Sequence, residues 1–224
     1  MRKSFHEQLA EAEGLVNETS GLVLQMLERT LRALETRDLA LSDVVISADD
    51  AVDEKYIDVE QRILTLLATQ APVARDLRLV SAMLHINIHL ERMADLCVNI
   101  AKFVKLSHDL PFSEGILQAL VEMGWYASKM IEQAMDAFAK RDLDLALALP
   151  EVDQAINRLN RRLIKEVARY ASEDDQIEWG SRMVLVSRQL ERMGDHAVDI
   201  GEQVAFMITG EFREFTDASE KDLL

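Results

Sequence analysis

Glycine and proline are scarce in this chain, at 8 and 3 of 224 residues, and aromatic residues make up only 5%. A sandwich or barrel needs turn residues between many strands, and β-branched and aromatic residues within them, so an all-β fold is excluded. With a single cysteine, Cys97, no disulfide scaffold can form, and a reducing compartment is expected. No run of ~18 uninterrupted apolar residues occurs, so no membrane-spanning helix is expected. The opening MRKSFHEQLAEAE carries charges where an export signal needs an apolar run, which predicts a cytoplasmic protein. Positive charge is in deficit: 25 Lys and Arg stand against 40 Asp and Glu, for a net charge of −15. That balance disfavours nucleic acid and anionic membrane surfaces, and suits cations or the basic face of a protein partner.

What is present is helical. The composition is 49% hydrophobic, and Leu, Ala, Glu, Arg and Met, all good helix formers, dominate. Apolar residues recur at helical spacing nearly throughout. The pattern predicts six helices, over 3–36, 40–69, 73–107, 113–140, 143–171 and 177–208. Asp38, Ser113 and Asp142 are expected as N-caps, Pro72 as a break, and Ser172-Glu173-Asp174-Asp175 as another. Helices of about 30 residues are ~45 Å long, and short connections between them imply antiparallel packing.

An internal repeat organises the chain. Leu90-Glu91-Arg92-Met93-Ala94-Asp95 returns as Leu190-Glu191-Arg192-Met193-Gly194-Asp195, an offset of 100 residues. Arg37-Asp38-Leu39 returns as Arg141-Asp142-Leu143, and Asp49 as Asp153, at an offset of 104. The second copy is therefore about four residues shorter between its last two helices. The expected fold is all-α: two tandem three-helix bundles related by duplication. The expected boundaries are 1–108 for the first repeat, 109–112 for a linker at Pro111, 113–209 for the second repeat, and 210–224 for a polar tail.

Carboxylates form stripes at matching places in the two copies. Glu91, Asp95 and Asn99 are spaced i, i+4, i+8 on one face of the third helix, with Asn87 one turn earlier. The sixth helix repeats this with Glu191, Asp195 and Asp199. The second helix carries Asp49 and Asp53, and the fifth carries Asp153 and Asn157. Val80, Leu84 and Val98 lie within about a twentieth of a turn of Glu91 on a helical wheel, so the stripe runs through apolar surroundings. Like charges one turn apart repel, and desolvated carboxylates are costly unless paired or bound to a cation. Two readings stand side by side. The stripes are solvated surface with Arg92, Arg192 and Lys102 as ion-pair partners, or they are cation sites. All-oxygen ligands suit hard cations such as magnesium, calcium, manganese or oxidised iron.

The remaining candidates are weaker. His85 and His89 are i, i+4 but face away from Glu91, and read as surface or packing residues. His196 follows Asp195 and is placed to touch a cluster. None of the five histidines has a Glu three residues before it, which argues against a ferritin-type di-iron centre. Cys97 reads as a buried small hydrophobe and the ten methionines as core filling. No phosphate loop and no nucleophile–base set stands out, so the expectation is no catalysis. Arg78 is the residue that could host a phosphate.

Gln70-Ala71-Pro72-Val73-Ala74-Arg75-Asp76-Leu77-Arg78 followed by Leu90-Glu91-Arg92-Met93-Ala94-Asp95 resembles the first repeat of the PhoU family of phosphate-transport regulators. Leu190 to Ile200, LERMGDHAVDI, resembles the second. The resemblance covers almost the whole chain. It implies two three-helix bundles side by side, and a cytoplasmic negative regulator of phosphate uptake and of the phosphate-starvation response. It implies two partners, the ATP-binding subunit of a phosphate ABC transporter and a sensor histidine kinase, and often a homodimer. It also implies metal on the acidic motifs, as iron, zinc, manganese or magnesium. Matched by position, one site uses Asp49, Asp53, Glu91, Asp95 and Asn99, the other Asp153, Asn157, Glu191, Asp195 and Asp199. Asn157 stands where the family often has Asp, and Leu96-Cys97 replaces the usual His-Ala after Asp95, so unequal metal loading is expected.

Three other functions fit the sequence less closely. A metal-buffering bundle without a signalling role is the runner-up. An enzyme using a metal-bound hydroxide on phosphate esters and a plain scaffold stand behind it.

Overall fold

The computed structural model describes residues 2–215. Among them are seven helices and no strand: α1 Arg2–Thr36, α2 Leu39–Gln70, α3 Ala74–Leu106, α4 Glu114–Lys140, α5 Leu143–Leu147, α6 Leu149–Tyr170 and α7 Asp174–Thr209. Six are long, and α5 is a single turn. The fold is therefore the all-α duplicated arrangement that the pattern predicts. Of the expected polar tail, 216–224 lie outside the described residues.

The helix starts follow local chemistry. Asp38 caps α2, its Oδ1 accepting from the Leu41 N–H at 2.9 Å, and Asp142 caps α5 by accepting from Leu145 N–H at 3.1 Å. Ser113 sits at the α4 N-cap, but its side chain makes no capping hydrogen bond. The single helix expected over 143–171 is broken at Ala148, because Pro150 lies in the first turn of α6 and a proline disfavours continuous helix through the residues before it. The acidic stretch expected as a break supplies one at Ser172 and Glu173, between α6 and α7, and its last two residues open α7. Asp174 and Asp175 occupy its first turn, where carboxylates favour the positive end of the helix dipole.

α1, α2 and α3 pack on one another, and α4, α6 and α7 do the same. The two triplets meet through equivalent helices, α1 against α4 and α3 against α7. α2 and α6 lie on the outside, and one core of buried apolar side chains runs through both triplets. Gly124 lets α4 close on Leu31 of α1, where a Cβ would collide with the leucine side chain.

Arg37 and Arg141 are repeat equivalents, and both take a left-handed φ of 56°. Their side chains have parted company. Arg37 Nη2 donates to the carbonyls of Ser107, His108 and Leu110, at 3.3 Å for Ser107 and 3.1 Å for Leu110, and its guanidinium lies 4.2 Å from the Phe112 ring centre. It thus fastens the connection between the halves. Arg141 instead pairs with Glu13 of α1 at 2.5 Å. No helix among the described residues is long and apolar enough to cross a membrane.

Candidate functional site

Each half sets its second helix against its third through a polar contact beside the stripe. In the first half, buried Asn87 on α3 donates from Nδ2 to the Tyr56 carbonyl on α2 at 2.9 Å. In the second, Ser187 Oγ on α7 donates to Asn160 Oδ1 on α6 at 2.9 Å. The residues occupy equivalent positions in the two copies, so the link survives duplication with its chemistry changed.

The first stripe lies across α2 and α3. Glu91, Asp95 and Asp49 are half-buried, while Asp53 and Asn99 are exposed. Burial, then the charges of Asp53, Asp95 and Asp50, hold the Asp49 carboxyl above its usual range, with Lys102 opposing. Burial likewise raises the Glu91 carboxyl, helped by Asp95, Asp53 and Asp49 and opposed by Arg92. The four carboxylates therefore act on one another across the two helices. Arg92 partly offsets them, its Nη1 donating to Asp95 Oδ2 at 3.1 Å and its Nε standing 3.3 Å from Glu91 Oε2. Among the described residues, no three of these carboxylates come within 4.8 Å of one another.

The second stripe differs. Asp153 on α6 is buried, 8% exposed, and accepts at Oδ2 from Asn157 Nδ2 at 2.6 Å. Its other oxygen lies against Gly194 on α7, where a Cβ would stand 2.6 Å from it. Glu191 is half-buried and takes an ion pair from Arg188, while Asp195 is exposed. Asp199 turns toward α3. Its Oδ2 lies 3.5 Å from His196 Nδ1 and 3.5 Å from His89 Nδ1.

His89 and His196 face each other across the joint between the halves, with their Nδ1 atoms 3.2 Å apart. The sequence pattern did not reveal this pair. It placed His89 away from the first stripe, which is correct, but the face of α3 that meets α7 depends on how the halves dock. Arg78, the candidate phosphate residue, donates from Nε to the Met207 carbonyl at 3.3 Å near the end of α7. Cys97 is fully buried, and burial pushes its thiol up to about 12.

A family model described as the PhoU domain matches the chain twice, over residues 16–104 and 120–204. The chain belongs to the PhoU family. A protein from Zymomonas mobilis named phosphate-specific transport system accessory protein PhoU homolog is 34% identical over 93% of the chain and 88% of its own length. A Mycobacterium bovis PhoU homolog 2 is 32% identical over 95% of the chain and 100% of its own length. The crystal structure of PhoU from Pseudomonas aeruginosa superposes with a TM-score of 0.85 at 28% identity, covering 92% of this chain and all of that one. The PhoU regulatory protein of Streptococcus pneumoniae gives a TM-score of 0.86 at 27% identity, over 93% of this chain and 99% of that one. Both PhoU matches contain the stripe glutamates, Glu91 in the first and Glu191 in the second.

Proposed function

We propose that this chain is a non-catalytic negative regulator of phosphate uptake and of phosphate-starvation signalling. It works as a cytoplasmic adaptor between the ATP-binding subunit of a phosphate ABC transporter and a sensor histidine kinase, and meets the membrane only through them. The observation that carries this reading is similarity, over more than nine-tenths of the chain, to proteins named as accessory to the phosphate-specific transport system. The net charge of −15 favours protein partners over nucleic acid. In this reading the protein is a homodimer of chains, each divided as 1–108, a linker at 109–112, 113–209 and a tail at 210–224.

The stripes are proposed as the regulated element. Their donors are carboxylate and amide oxygens, and the raised Asp49 and Glu91 carboxyls mark a place where added positive charge is favourable. Asp49, Asp53, Glu91, Asp95 and Asn99 would hold a cation in the first half, and Asp153, Asn157, Glu191, Asp195 and Asp199 in the second. Iron, zinc, manganese and magnesium are the candidates. A bound cation supplies the charge that offsets carboxylate repulsion. The chain's own part is to keep the second and third helices in register, so that occupancy biases the helix faces offered to partners.

Pull-down of the transporter ATPase and the kinase, at high and low phosphate, tests the adaptor role; binding to neither under any condition sinks it. Elemental analysis of native protein beside an Asp95→Ala, Asp195→Ala double variant tests the metal role, which fails if neither protein carries metal after loading. The repeated stripes also favour a second reading, metal buffering without phosphate signalling. It requires that ligand variants change metal content and leave phosphate-responsive transcription intact.

A further inference from the structure

Among the described residues, one set of three histidine, cysteine or acidic groups brings its ligand atoms within 4.8 Å of one another: His89, His196 and Asp199. Its three edges are 3.2, 3.5 and 3.5 Å, from Nδ1 to Nδ1 and from each Nδ1 to Asp199 Oδ2. Around a tetrahedral ion with bonds of about 2.1 Å, neighbouring ligands stand roughly 3.4 Å apart. The triangle has that size.

Hydrogen bonding accounts for less of it. A single proton between the two Nδ1 atoms serves one edge. The two edges to Asp199 are longer than a good N–H···O contact, which falls at about 2.7–3.2 Å. His196 Nε2 is buried with no hydrogen-bond partner, so the ring's nitrogens are engaged from the Nδ1 side alone. The imidazoles are 19% and 18% exposed and Asp199 is 44% exposed, so an ion has a way in and a position open to water.

We propose that His89, His196 and Asp199 form a transition-metal site that joins α3 of the first repeat to α7 of the second. Two imidazoles and one carboxylate select zinc-like divalent ions over magnesium or calcium, which prefer oxygen throughout. The site shares Asp199 with the second stripe and differs from both stripes in its two nitrogen ligands. The site occurs once per chain. The positions equivalent to His89 and His196 are Gln189 and Leu96, which cannot form a second one. Occupancy fixes the two repeats against each other.

Full-length protein, stripped with chelator and held in excess magnesium to fill hard-cation sites, is titrated with cobalt(II). One equivalent per chain should give the intense visible absorption of a tetrahedral complex, and zinc should abolish it. His89→Gln and His196→Gln should each lose the band and bind more than about tenfold more weakly. An Asp49→Asn, Asp53→Asn double variant in the first stripe should keep it. Absence of the band in the native protein, or its survival in both histidine variants, overturns the proposal. Should a variant fail to fold, histidine nitrogen NMR of the native protein decides. Zinc must move both Nδ1 resonances to metal-bound positions with both Nε2 atoms protonated, and unmoved Nδ1 signals refute the site.

Discussion

The Asp153 carboxylate lies in the space that a side chain at position 194 would need: a Cβ on Gly194 would stand 2.6 Å from Oδ1, with Ile156 Cδ1 at 3.2 Å and Met130 Sδ at 3.6 Å. The first repeat has Ala94 at this place. The second stripe therefore packs its buried carboxylate directly on the third helix of its half.

Replacing Gly194 with Ala should destabilise the protein by about 1–2 kcal/mol, because overpacking outweighs the ~1 kcal/mol that alanine gains in a helix. Urea denaturation measures this. The same variant should lose cation from the second stripe and keep it in the first, as read by elemental analysis. Ala94→Gly should cost only the helix-propensity difference, about 1 kcal/mol.

Glu91→Gln should stabilise the cation-free protein by about 0.5 kcal/mol, the scale of a like-charge pair one turn apart. Burial and three neighbouring carboxylates disfavour the ionised Glu91, and the Arg92 contact does not outweigh them. In saturating cation the order should reverse, with the native protein melting higher than the variant. A variant less stable than the native chain under both conditions would contradict this account.

Arg37 tests the joint between the halves. Arg37→Ala removes the donor to three carbonyls and the contact with Phe112, and should cost about 2 kcal/mol. Arg37→Gly should cost less, because glycine takes the left-handed φ of 56° without the Cβ penalty. Thermal melts of the two variants give the comparison.

Cys97 should resist alkylation at pH 8. Its thiol is fully buried and raised to about 12, and the thiolate is the reactive form. Labelling should proceed only through opening of the bundle and accelerate in step with added urea. Fast labelling in native buffer would show that α3 opens locally.

The bundle is legible because helical periodicity, aspartate caps and the duplicated Leu-Glu-Arg motif are all local signals. Asp38 caps the helix it was expected to cap, and Asp142 caps α5, the first turn of the longer helix expected there. The break before Pro150 was harder to read, since a proline in a first turn both begins one helix and ends another. The stripes were legible as faces of single helices, and the facing of α2 against α3 brings Asp49, Asp53, Glu91 and Asp95 into mutual influence. The His89–His196 contact was not legible. It joins residues 107 positions apart on helices from different copies, and periodicity says nothing about how two amphipathic units dock. Gly194 against Ala94 was visible in the repeat, but the carboxylate behind the difference was not.

Because α1 meets α4 and α3 meets α7, the joint has the form that two identical subunits make about a two-fold axis. In a dimer of identical subunits, a residue on one side is bound to appear on the other. Joining both copies in one gene removes that obligation. His89 and His196 have no counterparts in Gln189 and Leu96, and Arg37 and Arg141 hold different neighbours. Covalent union thus gives this molecule a left and a right, which symmetric assembly denies.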